Sequence, residues 1–177
     1  RSPLIVFDPR PQADATRGQR VTAFAESVDV VPTALDALQI RPELDRTQGR
    51  SLMPWIHGDS PTDWRDSVFA EIDYSFRRAR LLLNRQPGEC RGWMVRERQW
   101  KYVRWQGFGP QLFNLEDDPD EYVDLGKDPR YAAERQRLDE RLHAWLNDQH
   151  PRLTMGDDEV AQRTDRAKEH GIYYGTW

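Results

Sequence analysis

Apolar positions near the start of the chain follow two patterns. Residues 4–7 form a continuous apolar run, which is typical of a strand buried on both faces, and residues 21–24 predict a short second strand. A helix over 30–38 is predicted by residues three or four positions apart, which would share one buried face: Val28, Val31, Leu35 and Leu38. Pro32 is compatible with this helix because Asp29, as its N-cap, places the proline in the first turn.

Alternation of apolar and polar residues replaces this spacing in the middle of the chain. Residues 68–72 predict a strand, and residues 92–97 and 100–105 predict a hairpin that turns at Arg98-Gln99. Residues 111–115 predict a further strand, and helical spacing returns over 129–147. We expect the strands and the long helix to share one core, built from Trp93, Trp100, Trp105, Leu112, Phe113, Leu138, Leu142 and Trp145.

These elements predict an α/β fragment in three parts. Residues 1–60 form the end of a larger α/β domain, and residues 61–150 form a small antiparallel sheet packed by a long helix. Residues 151–177 form a tail with a polar helix over 157–169 and an aromatic end. Because a strand buried on both faces needs neighbours on both sides, the run at 4–7 predicts that the chain is a piece of a larger protein.

Composition excludes some classes of function. The chain has 26 basic and 30 acidic residues, so a polybasic nucleic-acid binder is excluded. No stretch approaches the ~20 apolar residues of a membrane span. Residues 77–105 nevertheless hold nine Arg or Lys with interleaved aromatics, whereas residues 114–159 hold fourteen acids. Pairing between these two regions is one interpretation, and binding of an anion or of single-stranded nucleic acid is the alternative.

Candidate catalytic residues have simpler structural interpretations. Cys90 is the single cysteine, so it excludes an intrachain disulfide, implies no oxidising compartment and is expected to be a buried apolar residue. The acidic run 116–121 fails as an EF-hand loop and predicts a turn in which Asp118 caps and Pro119 starts a helical turn. The four histidines lack close metal-ligand spacing: His57, His143, His150 and His170.

Taken together, the motifs resemble the C-terminal part of a sulfatase-type hydrolase of the alkaline phosphatase superfamily. The resemblance rests on short segments in a fixed order: RSPLIV at 1–6, SVDVVPT at 27–33, GRSLMP at 49–54, VFAE at 68–71, Arg96, WKYV at 100–103 and LFNLEDDPDE at 112–121. Further features are most similar to the phosphonate monoester hydrolase and arylsulfatase branch: Pro61, Trp64-Arg65-Asp66, Glu71, Asp73-Tyr74 and the aromatic C-terminus.

The resemblance implies a hydrolase of sulfate or of phosphonate or phosphate monoesters. Enzymes of this type use a cysteine converted to formylglycine as nucleophile and a divalent metal ion that polarises the ester. The maturation motif is Cys-x-Pro/Ala-x-Arg, whereas Cys90 is followed by RGWM. The family's nucleophile and metal ligands precede the segment matching RSPLIV, so no catalytic, cofactor-binding or metal residue is assigned here. The fragment alone is expected to be inactive.

The partners expected of the whole enzyme are an anionic small-molecule ester and further copies of itself. The aromatic tail, including Trp177, is expected to lie between subunits, because an apolar terminus left in water favours association. No nucleic acid or membrane partner is expected, and the location is expected to be cytoplasmic. The alternative is a non-catalytic module that serves assembly or binds anions or nucleic acid.

Overall fold

The computed structural model describes residues 3–41, 47–149, 156–164, 169 and 171. The chain divides into a first unit, drawn from residues 1–20, 26–61 and 149–177, and a second unit, drawn from 21–25 and 62–148. Helices of the first unit are α1 (Val30–Ala37), α2 (Met53–His57) and α5 (Asp157–Arg163). The second unit holds α3 (Arg78–Leu82), α4 (Ala132–Asn147) and strands β1 (Val68–Asp73), β2 (Arg91–Arg96), β3 (Trp100–Trp105) and β4 (Gln111–Asn114).

The four strands form one antiparallel sheet in chain order, β1-β2-β3-β4. The predicted strands and the hairpin between β2 and β3 are confirmed, with ends that move by one residue. Val95 pairs with Phe69 on one side and with Tyr102 on the other, and Tyr102 pairs with Leu112. These residues therefore lie on one face of the sheet, because paired positions share a face and successive residues alternate.

Helix α4 covers this face and closes the core. A 3₁₀ turn (Pro129–Tyr131) leads into it, and Asp128 caps that turn by accepting a hydrogen bond from the backbone N–H of Arg130. Leu138 and Leu142 on α4 are fully buried against the sheet. Around them lie Val95, Tyr102 and Leu112, with partly buried residues at the margin: Phe69, Trp93, Trp100, Leu125, Tyr131, Trp145 and Leu146. The predicted core of sheet and long helix is confirmed for most of its members.

Two predicted core residues lie on the other face. Lys101 pairs with Phe113, so Phe113 points away from α4 although it is buried. Trp105 lies four positions after Lys101 on β3 and therefore on the same face of the sheet. Its ring lies over Gly92, and a Cβ on that glycine would come within 2.5 Å of the ring. The prediction grouped residues by hydrophobicity, whereas strand alternation separates Phe113 from Leu112.

The predicted strands at the start of the chain are wrong. Residues 4–7 and 21–24 are not strands, and Ile5 and Phe7 have 88% and 73% of their surface exposed. Among the described residues no strand lies beside either segment, since the sheet contains β1 to β4 alone. An apolar run predicts a buried strand only where backbone partners exist to complete the ladder.

Helix α1 is confirmed, but its predicted buried face is wrong. Val31 and Leu38 are 60% and 68% exposed, whereas Pro32 and Thr33 are the buried residues. The helix can bury Thr33 because the hydroxyl of this residue both donates and accepts a hydrogen bond. Helix α2, in a region predicted to be mostly loop, has Pro54 in its first turn and ends at His57. Gly58 follows it with a φ of 93°.

The predicted polar helix of the tail is present over α5. The predicted contact of Trp177 lies outside the described residues. None of the helices in the part of the chain that the structure describes is long and apolar enough to cross a membrane.

Candidate functional site

The carboxylate of Asp29 is fully buried in the first unit. Asp29 precedes α1, as predicted for its N-cap, but its side chain makes no capping bond to that helix. Its Oδ2 instead accepts from the backbone N–H of Glu26, and its Oδ1 accepts from the backbone N–H of Arg50, both at 2.8 Å. The carboxylate thus joins the residues before α1 to a loop 21 positions later.

Thr33 makes a second connection between the same two segments. Its hydroxyl donates to the carbonyl of Asp29 at 2.6 Å and accepts from the backbone N–H of Leu52 at 2.9 Å. Gly49 completes the contact, because a Cβ there would lie 2.1 Å from the carbonyl oxygen of Val28. We call Asp29, Thr33 and Gly49, with their backbone partners, the motif lock. It joins the segments SVDVVPT and GRSLMP, so these motifs act here in packing.

A second polar cluster surrounds Asp8, which is 7% exposed. Arg10 donates through Nε and Nη2 to both carboxylate oxygens of Asp8, and Nη1 donates to the carbonyl of Ala37. The Nε2 atom of His57 lies 3.0 Å from Asp8 Oδ2. The hydrogen bonds from Arg10 hold the pKa of Asp8 well below its usual range. A carboxylate held in this way is a poor proton acceptor, so the cluster suits fixing α2 to the preceding segment.

A cavity of about 350 Å³ opens beside this cluster, lined by Arg10, Gln12, Asp36, Gln39, Met53, Pro54, His57 and Asp59. The guanidinium of Arg10 is already bound to Asp8, and the Ser51 hydroxyl donates to Asp36 at 2.5 Å. The lining therefore offers no activated nucleophile with a base behind it. No sequence pattern indicates this cluster, because His57 lies 49 positions from its partner.

Cys90 lies in the second unit and is fully buried. Its Sγ donates to the carbonyl of Gln86 at 3.3 Å, and its own carbonyl accepts from the backbone N–H of Tyr74 at 2.9 Å. A thiol with no exposed surface is unsuited to attack a substrate in solution. The geometry favours the structural interpretation of Cys90.

The acidic run forms the predicted turn at Pro119, closed by a hydrogen bond from the backbone N–H of Glu121 to the carbonyl of Asp118 at 3.2 Å, but no helix continues from it. The carboxylate of Asp118 accepts from the backbone N–H of Val123 at 2.7 Å, and that of Asp117 accepts from the Asn114 amide at 2.6 Å. No helix forms after Pro119 because Glu121 has a φ of 62°, which is incompatible with helical continuation.

A metal ion of the sulfatase type does not fit the part of the chain that the structure describes. No group of three or more His, Cys, Asp or Glu side chains there is arranged to hold one. His57 is bound to Asp8, and His143 contacts Arg104 and lies 3.5 Å from Asp139. His150 and His170 lie outside the described residues.

Comparison with known proteins identifies the family. The model of the family described as "N-sulphoglucosamine sulphohydrolase, C-terminal" matches residues 1–148. The chain belongs to this family. It is thus a C-terminal domain of the sulfatase type in the alkaline phosphatase superfamily, which confirms the resemblance and the α/β fold class.

Relatives and solved structures agree with this assignment. The multifunctional alkaline phosphatase superfamily protein PehA of Trinickia caryophylli is 33% identical, covering 75% of this chain and 26% of PehA. Arylsulfatase K of Gallus gallus is 29% identical, covering 82% of this chain and 25% of its own. The phosphonate monoester hydrolase of Agrobacterium radiobacter superposes with a TM-score of 0.65 at 33% identity, covering 75% of this chain and 27% of its own. The chain spans about a quarter of the length of these relatives.

Proposed function

We propose that this chain is the C-terminal portion of a metal-dependent hydrolase of sulfate or of phosphonate or phosphate monoesters. The formylglycine nucleophile and the metal ligands of that enzyme would lie upstream, outside residues 1–177. The family assignment supports the hydrolase class, and the relatives named for arylsulfatase and phosphonate monoester hydrolase activity support the ester class. The three-part division at residues 60 and 150 remains part of this proposal.

The exposed apolar surface of the first unit carries the proposal. Residues 4–7 present Ile5 with 88% and Phe7 with 73% exposure, and Val31 on α1 is 60% exposed. Contiguous apolar patches on soluble domains mark surfaces that contact something else. A larger α/β domain, such as the remaining three-quarters of the relatives, would cover this surface.

Activity assays test this proposal. The 177-residue chain should not hydrolyse aryl sulfates or phenyl phosphonate esters, with or without Mn²⁺, Ca²⁺ or Zn²⁺. A longer polypeptide that carries the upstream region should hydrolyse them in a metal-dependent manner. Metal-dependent turnover by the short chain that disappears in Cys90→Ala would contradict the assignment.

A fluorescent dye for apolar surface gives a structural readout of the same proposal. The short chain should bind the dye, and the longer polypeptide should bind much less of it. The double variant Ile5→Ser/Phe7→Ser should reduce dye binding by the short chain alone. Equal binding by the short and long forms would show that the upstream region does not cover this surface.

The remaining expectations for the whole enzyme are part of the proposal. Its substrate would be an anionic small-molecule ester, and its subunits would associate through the tail that includes Trp177. Deletion of residues 171–177 should then lower the assembly state in sedimentation without unfolding the sheet. A cytoplasmic location also remains a prediction, and it rests on the single cysteine.

A further inference from the structure

The connection between β1 and β2 is a segment that the chain braces by its own bonds. We call residues 74–90 the basic finger. At its base the backbone N–H of Tyr74 donates to the carbonyl of Cys90 at 2.9 Å. Across its width Arg80 donates through Nε to the carbonyl of Ser75 at 2.7 Å. These bonds give the finger a fixed shape, so the side chains on its outside form a defined surface.

That outer surface is both apolar and basic. Phe76 is 99% exposed, and Leu81 and Leu82 on α3 are 66% and 75% exposed. The side chains of Arg77 and Arg78 are exposed and make no hydrogen bond or ion pair within the described residues. A braced segment that exposes an aromatic ring beside unpaired guanidinium groups is suited to an acidic partner with an apolar patch.

The same chain carries a surface of the opposite character. We call residues 116–123 the acidic loop. Tyr122 and Val123 are 86% and 58% exposed, and the loop is held by the hydrogen bond between Asp118 and Val123. The carboxylates of Glu116 and Asp120 are exposed and have no partner among the described residues. The acidic loop is therefore opposite in charge to the basic finger, and both surfaces expose apolar side chains.

The finger and the acidic loop begin at opposite ends of the sheet. The finger begins after Asp73, which pairs with Arg91 at one end of the sheet. The acidic loop begins at the other end, where the backbone N–H of Leu115 donates to the carbonyl of Gln99 at 2.6 Å. The acidic loop then returns alongside β4, where the backbone N–H of Leu125 donates to the carbonyl of Leu112 at 2.8 Å. Among the described residues no hydrogen bond, ion pair or ring contact joins the finger to the acidic loop, so both surfaces are open to a second copy.

We propose that the basic finger of one copy docks on the acidic loop of a second copy. In a two-fold dimer each copy provides one finger and one loop, so both contacts form at once and the assembly closes. Phe76 and Leu82 would pack on Tyr122 and Val123, while Arg77 and Arg78 meet the free carboxylates. The proposal rests on the second unit alone and does not depend on the proposed function.

Charge exchange between the two surfaces gives a direct test. A finger variant, Arg77→Glu/Arg78→Glu, and a loop variant, Glu116→Arg/Asp120→Arg, each place like charges at both contacts. In sedimentation velocity each should raise the dimer Kd by about tenfold or more, whereas an equal mixture should form the dimer again because opposite charges meet. Circular dichroism checks that the variants fold. A matched control, Arg20→Glu/Arg41→Glu, changes the net charge as the finger variant does and should leave the Kd unchanged.

Several outcomes would overturn the proposal. One is a wild-type chain that is monomeric up to about 100 μM, because a dimer with a Kd at or below that concentration would be populated there. Another is a mixture that stays as dissociated as the separate variants. Loss of binding to phosphatidylserine vesicles in the finger variant, with assembly unchanged, would assign the finger to an anionic membrane surface. A lower melting temperature of the finger variant in a longer polypeptide, with assembly unchanged, would assign it to a contact within that polypeptide.

Discussion

Truncation of Leu142 to alanine tests the core of the second unit. Leu142 is fully buried between α4 and the sheet, in one cluster with Val95, Tyr102, Leu112 and Leu138. The substitution removes three carbon atoms, which corresponds to roughly 2.4 kcal/mol of transfer free energy at about 0.8 kcal/mol each. A cavity that the surrounding residues fail to fill adds to this loss, so we expect about 2–5 kcal/mol in total.

Urea unfolding followed by tryptophan fluorescence measures this loss. Trp93, Trp100 and Trp145 lie at the margin of the same core, so their emission reports on it. With a slope of about 2 kcal/mol per molar urea, the midpoint should fall by about 1–2.5 M. Asn147→Ala, at an exposed position of the same helix, should change stability by less than about 0.5 kcal/mol. A loss of that small size in Leu142→Ala would show that α4 does not bury this face.

Three further changes test the motif lock and the ion pairs on α4. Gly49→Ala should unfold the first unit at a lower temperature because its Cβ would meet the Val28 carbonyl, whereas Gly88→Ala, with no atom within 4 Å, should not. Thr33→Val should cost about 1–3 kcal/mol in thermal unfolding, since the backbone N–H of Leu52 loses its acceptor, and an unchanged melting temperature would contradict the lock. Hydrogen bonds from Arg137 lower the pKa of Glu97 from its ordinary 4.5, so the unfolded chain binds this proton first as the pH falls. The free energy of unfolding of the wild type should therefore fall more steeply with decreasing pH than that of Glu97→Gln below about pH 4.5. If the two plots of unfolding free energy against pH are parallel, the Glu97–Arg137 pair does not contribute to acid sensitivity.

The second unit could be predicted from sequence because its bonding partners are neighbours in the chain. Each strand pairs with the next, and the hairpin at Arg98-Gln99 sets the register that brings Val95 opposite Tyr102. Strand alternation then determines which side chains meet α4. Trp105 and Phe113 were wrongly predicted because every large apolar residue was assigned to the face that packs on α4. The alternation along the strands, which places these two residues on the other face, was present in the sequence.

The first unit could not be predicted in the same way because polar bonds between distant segments determine its burial. Helix α1 buries Thr33 and exposes Val31, since the Thr33 hydroxyl has both a donor and an acceptor available from the two segments of the motif lock. Hydrophobic spacing carries no information about such pairs. The cluster of Asp8 with His57 has the same origin, because His57 on α2 lies 49 positions from Asp8.

The two units differ in what stabilises them, and this difference predicts which unit depends more on a larger α/β domain. Fully buried Leu138 and Leu142 close the core of the second unit, whereas the first unit is held largely by charged and hydroxyl groups and leaves Ile5 and Phe7 in water. A buried Asp29 with both oxygens bonded stabilises one local geometry but supplies little of the hydrophobic free energy that supports a domain. The first unit is therefore the part of the chain whose stability should rise most when a larger α/β domain covers its apolar surface. A gain in the melting temperature of this unit within the longer polypeptide, with no change for the second unit, is what this division of stability requires.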